Sequence, residues 1–320
     1  MIIDCHNHLG VDLLFYLNGW HPYAQDLPTL VTEGRHCGVD RWVVFPMVSN
    51  LTFGVPAMRQ GRLETAGGIE CVPYAYENER MLREVYQLYP DLGKATLPFA
   101  ILDPLRETQA QAAKLRELYQ EFPFYGLKIQ ATIIKSDVTA LLREGRVFLE
   151  LAEELNLPFL IHSSVGDDKW SQARDILKVA EATPSVRFCL AHSCRFDHEC
   201  LDRVAELPNT WFDCSAHRIH CECVQLGMPN VALADRRFPA DYRDPDAVLQ
   251  ALAEAYPTKF IWGSDTPFQS YVDNRFSLRS TYAQEVACLN TVKSKLHEAI
   301  AHDNLLNLLQ LKDESILTRD

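Results

Sequence analysis

Leu157-Pro158-Phe159-Leu160-Ile161-His162 is an apolar run opened by a proline and closed by a histidine. A proline ends the helix before it, because its ring removes a donor and clashes with the preceding turn. The aromatic and branched residues that follow suit a strand covered on both faces. Phe188-Cys189-Leu190-Ala191-His192 ends in the same way, and Phe260-Ile261-Trp262-Gly263-Ser264-Asp265 ends in an acid. Runs of this kind fall at residues 2–6, 41–47, 96–102, 125–129, 158–162, 186–191, 210–214 and 259–263, with Pro158, Pro184, Pro208 and Pro257 at or just before four of them. Between the runs lie amphipathic stretches, such as 141–155 and 172–182, with apolar residues at three- and four-residue spacing. Eight strands alternating with helices predict an α/β protein, a single (β/α)8 TIM barrel spanning residues 1–320. A doubly wound open sheet is the competing fold, but no glycine-rich phosphate loop follows the first strand.

Two connections exceed plain turns, 49–76 after strand two and 215–243 after strand seven. Both leave the carboxyl ends of strands, where barrels of this type carry their sites, and both contain aromatic and apolar residues. They are expected to form substrate-shaping caps.

The chain has 320 residues, 47% of them hydrophobic and 23% charged, enough to bury a large core. Its 31 basic and 43 acidic residues leave a formal charge of −12, which argues against a nucleic-acid or anionic-membrane partner and leaves a small molecule. A homodimer stays open. No window supplies the ~18 or more apolar residues of a membrane span. The opening Met1-Ile2-Ile3-Asp4-Cys5-His6 has no basic leader before an apolar stretch. The ten scattered cysteines are therefore expected to be reduced thiols in a cytoplasmic protein rather than a disulfide framework.

The first strand ends Asp4-Cys5-His6-Asn7-His8. Residues two apart on a strand share a face, so His6 and His8 can reach one divalent ion. Each strand-end residue has an ordinary alternative: a histidine there is usually just hydrogen-bonded, and an aspartate can cap the next helix. His-x-His on strand one together with His162, His192 and Asp265 on strands five, six and eight points to a metal centre in the barrel mouth. Arg195, just beyond strand six, is placed to clamp a carboxylate, and Arg218, Arg236 and Arg237 are weaker candidates of the same type. The segment His217-Arg218-Ile219-His220-Cys221-Glu222-Cys223 offers soft ligands but no paired C-x-x-C. It reads as part of the second cap rather than as a structural zinc site.

These motifs, with Gly126-Leu127-Lys128, Leu190-Ala191-His192-Ser193 and Trp262-Gly263-Ser264-Asp265-Thr266-Pro267, resemble the amidohydrolase superfamily over nearly the whole chain, in the expected order. The branch resembled is the amidohydrolase-related one that includes aminocarboxymuconate-semialdehyde decarboxylase. The resemblance implies a divalent metal, usually zinc with manganese or another ion open, one ion rather than two, held by His6, His8, His162 and Asp265. His192 would complete a second metal site or act as acid/base. Lys128 would be either a carbamylated bridge between two metals or an ordinary paired cation. The branch often has a histidine and a proline after this lysine, where Gln130 and Ala131 stand here.

The expected activity is hydrolysis of an amide, ester or lactone of a small carboxylate-bearing molecule, with Asp265 and His192 catalytic and Arg195 and Arg218 binding substrate. The alternatives are a metal-dependent decarboxylase of an unsaturated or aromatic acid and a non-catalytic binding barrel.

Overall fold

In the computed structural model, which describes residues 1–49, 54, 56–57, 60–62, 64 and 72–312, each of the eight apolar runs forms a strand. They are β1 (Ile3–Val11), β2 (Arg41–Pro46), β3 (Thr96–Leu102), β4 (Gly126–Ile129), β5 (Phe159–Ile161), β6 (Phe188–Leu190), β7 (Thr210–Asp213) and β8 (Phe260–Ile261). All eight run parallel in sequence order, each bonded to the next. Backbone bonds from Cys5 N to Trp262 O (3.3 Å), Asp265 N to His6 O (3.0 Å) and His8 N to Thr266 O (2.8 Å) join the last strand to the first. The fold is the expected TIM barrel.

Helices α1 (Leu27–His36), α2 (Ala75–Arg83), α3 (Thr108–Glu121), α4 (Arg146–Leu155), α5 (Ala173–Ala182), α6 (His198–Glu206), α7 (Pro245–Ala255) and α8 (Tyr282–Asn290) follow the strands in turn. Their starts are set by local chemistry. Asp26, Asp197 and Asp244 each accept a backbone N–H of the first turn, and Thr281 with Gln284 forms a reciprocal capping box. On α4, Val147, Phe148, Leu151 and Ala152 form the buried stripe. The stretch 141–155 is not one helix as expected: a 3₁₀ turn, Val138–Leu142, precedes α4, and the break falls at Gly145. A side chain at Gly145 would stand 2.4 Å from the Pro104 carbonyl oxygen.

β1 runs past the predicted end at residue 6 because its far end pairs with a two-residue strand, Ala24–Gln25. Its ladder with β2 slips between Asp4 and Asn7. A bulge changes which residues face inward. Ile3 and Cys5 pack inside the barrel with Val43, Phe45, Leu160 and Ile261, and beyond the slip His6 and His8 line the cavity at the mouth. Most of the first expected cap, 49–76, lies outside the described residues. The second contains a helix, His217–Gln225, and folds over the mouth. Among the described residues no helix is long and apolar enough to cross a membrane.

Candidate functional site

His6, His8 and Asp265 bring one ligand atom each to within 4.8 Å of one another, and all three side chains are buried. The tautomers of the two imidazoles follow from their outer partners. His6 Nδ1 lies 2.9 Å from Asp213 Oδ2, and His8 Nδ1 lies 3.2 Å from the Pro46 carbonyl oxygen. Both partners only accept, so both Nδ1 atoms carry the proton and both Nε2 atoms keep a lone pair. Those Nε2 atoms lie 3.2 Å and 3.3 Å from Asp265 Oδ1. Burial, opposed by the Asp265 carboxylate, lowers His8 to about 4, so the ring is neutral near pH 7. Two lone-pair nitrogens and a carboxylate oxygen converging on one point are a donor set that fits a divalent cation.

Asp213 is the functional residue that sequence reading missed. It is fully buried at the end of β7. Oδ2 accepts from His6, while Oδ1 accepts from His192 N (3.0 Å), Ser215 N (2.9 Å) and Ser215 Oγ (2.5 Å). Burial alone would raise its carboxyl, but the interaction with His6 and the hydrogen bonds from Ser215 and His192 N hold it below the ordinary value. An acid closing the run Thr210-Trp211-Phe212-Asp213 was the available signal, the same one that marked Asp265.

His162 does not join the trio, contrary to expectation. Its Nδ1 lies 2.9 Å from His192 Nε2, and its Nε2 lies 3.2 Å from an Arg195 terminal nitrogen. His192 Nδ1 donates to the Ser215 carbonyl oxygen at 3.0 Å. One assignment satisfies the whole chain: Arg195 donates to His162, His162 to His192, and His192 to Ser215. Burial, then the Arg195 charge, holds His162 and His192 well below the ordinary imidazole value. The Arg195 guanidinium closes the third side of its pocket by donating through Nε to the Ser163 carbonyl oxygen (2.9 Å) and through Nη1 to His220 Nε2. Only 7% of the residue is exposed. All of its partners are neutral, and among the described residues no carboxylate forms an ion pair with it.

Lys128 is fully buried, with Nζ 3.1 Å from His6 Nε2 and 4.7 Å above the Phe45 ring. Burial, partly offset by Asp213 and Asp265, lowers it to about 8. The trio, Lys128, His162, His192 and Arg195 all line one cavity of about 370 Å³. Its remaining wall is largely apolar: Phe15, Phe268, Tyr271 and Phe276 on one side, Ile219 and Met228 from the second cap on the other. Arg218 does not reach it. Its guanidinium lies 3.7 Å from Asp246 at the start of α7, on the outer side of the cap helix, so the expected substrate contact is corrected. Arg236 pairs with Asp197 (3.0 Å) and Arg237 donates to the Ala232 carbonyl oxygen. A larger surface groove of about 930 Å³ between α5 and α6 is lined by mutually paired charges such as Arg203 with Glu181 and Glu206, and offers no convergent ligand set.

No curated protein matches the sequence. Solved structures match throughout. The 5-carboxyvanillate decarboxylase of Sphingomonas paucimobilis superposes with a TM-score of 0.62 at 11% identity, over 98% of this chain and 99% of that one. A probable 2-pyrone-4,6-dicarboxylic acid hydrolase from Acinetobacter baumannii, with citric acid bound, gives 0.59 at 15% identity over 97% and 99%. An amidohydrolase from Burkholderia multivorans with bound zinc gives 0.59 at 13% over 98% and 100%. Likeness at these identities establishes the fold. The amidohydrolase family model, however, matches residues 3–310. With that match spanning the barrel and the strand-end ligands falling inside it, this chain belongs to the amidohydrolase family, a family of metal-dependent enzymes.

Proposed function

We propose that this protein is a single-zinc hydrolase that cleaves an amide, ester or lactone of a small, flat, carboxylate-bearing molecule. The observation that carries the reading is the meeting, in one largely apolar cavity, of a His6–His8–Asp265 donor set with a buried guanidinium, Arg195, that has no anionic partner among the described residues. An ion held by His6, His8 and Asp265 would supply Lewis acidity, polarising the substrate oxygen and making water easier to deprotonate. Arg195 binds the substrate carboxylate, and the aromatic wall beside His8 seats its flat body; Phe268 lies edge-on to His8 with ring centres 4.9 Å apart. Asp265 takes the proton of the attacking water as the carbon–oxygen bond forms. It then returns that proton to the leaving nitrogen or oxygen as the acyl bond breaks, so one water is consumed and the acid is released from an amide or ester, or the ring of a lactone is opened. His192 suits the acid role less well, because its ring N–H is committed to Ser215.

Decarboxylation is the second reading, and Lys128 favours it. A buried ammonium lowered to about 8 beside the trio is a ready proton donor. The bond to the carboxylate carbon would break with its electrons left on the ring carbon, Lys128 would protonate that carbon, and carbon dioxide would leave. The likeness to a decarboxylase and to a hydrolase supports both readings equally.

Zinc-loaded protein should be incubated with 2-pyrone-4,6-dicarboxylate, 5-carboxyvanillate and aryl esters bearing a ring carboxylate, in ¹⁸O-labelled water and separately in deuterium oxide. Hydrolysis leaves one ¹⁸O in the acid product and releases no carbon dioxide. Carbon dioxide with one deuterium on carbon would replace the first reading by the second. Stoichiometric zinc with no turnover of any probe would favour the binding barrel. In every case, His6→Ala with His8→Ala should abolish stoichiometric zinc while the barrel still folds, since its core is apolar layers.

A further inference from the structure

A guanidinium has five N–H donors and a charge, and the two need separate partners. At Arg195 three of the donors are met, by Ser163, His162 and His220, none of them anionic. Burying a cation without a counter-charge is costly, so the site gains most from a ligand that brings one. Such selectivity depends on how firmly the guanidinium is held, and one contact comes from outside the barrel. His220 lies on the cap helix His217–Gln225 and is buried. Its backbone-directed N–H bonds to Ser215, whose carbonyl also takes the proton of His192. That leaves a lone pair on His220 Nε2, and this atom is the acceptor for Arg195 Nη1.

The backbone beneath Arg195 is itself strained. His192, Ser193, Cys194, Arg195 and Phe196 have φ of 63°, 48°, 48°, 56° and 64°, five consecutive residues in the left-handed region that side chains rarely adopt. The turn aims Arg195 into the cavity, and the cap holds it there: the Arg195 carbonyl accepts from Ala232 N at 2.9 Å and its side chain donates to His220.

We propose that His220 is a positioning residue that fixes the Arg195 guanidinium as the anion-selecting group of the cavity, so that the cap helix sets the preference for charged over neutral substrates. The proposal rests on the reading that Arg195 receives a substrate carboxylate. His220 accepts one donor and leaves the remaining edge of the guanidinium for the ligand.

The test compares binding of benzoate and of its neutral isostere benzamide to the full-length, metal-loaded protein by titration calorimetry. Native protein should prefer benzoate by about 10–100-fold, the range of a charged hydrogen bond, and Arg195→Met should erase the preference. His220→Gln keeps an acceptor at similar reach and should retain the preference within about twofold. His220→Asn is a similar amide too short to reach, and should lose about tenfold in benzoate affinity with benzamide affinity unchanged. Equal benzoate preference in the Gln and Asn variants would overturn the role of His220 while leaving Arg195 in place. Undiminished preference in Arg195→Met would overturn the anion site itself, and with it this proposal. Equal losses for benzoate and benzamide in His220→Asn would make the contact one of packing, which also overturns it.

Discussion

Asp213 orients a candidate metal ligand, His6, from outside the donor set. By accepting from His6 Nδ1 it leaves Nε2 free to face Asp265, and through Oδ1 it ties down the backbone of His192 and Ser215. Asparagine at this position keeps the shape but presents a neutral oxygen, or turns an N–H toward His6 and forces the wrong tautomer. Asp213→Asn should therefore weaken metal binding by about 10–100-fold, the usual effect of removing such an outer partner, with little change in fold. Competition against a coloured chelator measures it, and native affinity would mean that the tautomer of His6 is set elsewhere. The two histidines of β1 were legible as a His-x-His pair on one strand face, and Asp265 as the acid that closes an apolar run. Asp213 ends one too, but its partner His6 lies 207 positions away, and no spacing rule connects them. His162 reads in the sequence as a metal ligand and not as a partner of Arg195, since a strand end fixes where a side chain starts but not which neighbour its ring nitrogens meet.

At the scale of elements, the eight strands were readable because proline, branched and aromatic residues repeat with the period of a βα unit. What periodicity could not carry was irregularity. The slip in β1 and the left-handed turn after β6 contain no glycine to mark them, and both carry side chains that line the candidate site. Gly263 is the exception, an irregularity that the sequence does print, in Trp262-Gly263-Ser264-Asp265. A side chain there would stand 2.8 Å from Cys5 Sγ, 3.0 Å from His6 Cβ and 3.3 Å from His6 N, so only glycine lets β8 lie this close to β1. Closeness of these strands is what brings Asp265 to the histidines. Gly263→Ala should push them apart, costing about 1–3 kcal/mol of stability as overpacking does and lowering metal affinity at least tenfold. Urea unfolding and a metal titration on the same variant test this. Lost stability with unchanged metal affinity would show that the site tolerates the separation.

At the scale of the whole molecule, the thiols set a limit on the conditions the fold survives. Cys5, Cys189, Cys194, Cys200, Cys214, Cys221, Cys223 and Cys288 are all buried and unpaired. Burial is the leading cause that raises each of them above the ordinary value of 9.0. A group whose folded pKa is raised stabilises the fold fully below its unfolded pKa and loses that contribution as pH rises. Above pH 9 the unfolded chain releases these protons more readily than the folded chain does. Lys128 and Lys259 act in the opposite sense, since burial lowers both, but they are two groups against eight. The protein should therefore lose stability as pH rises above 9, even with reductant present to prevent oxidation. Urea unfolding midpoints at pH 8, 9 and 10 check the slope. A midpoint unchanged to pH 10 would mean that these thiols ionise within the fold, which their apolar surroundings should forbid.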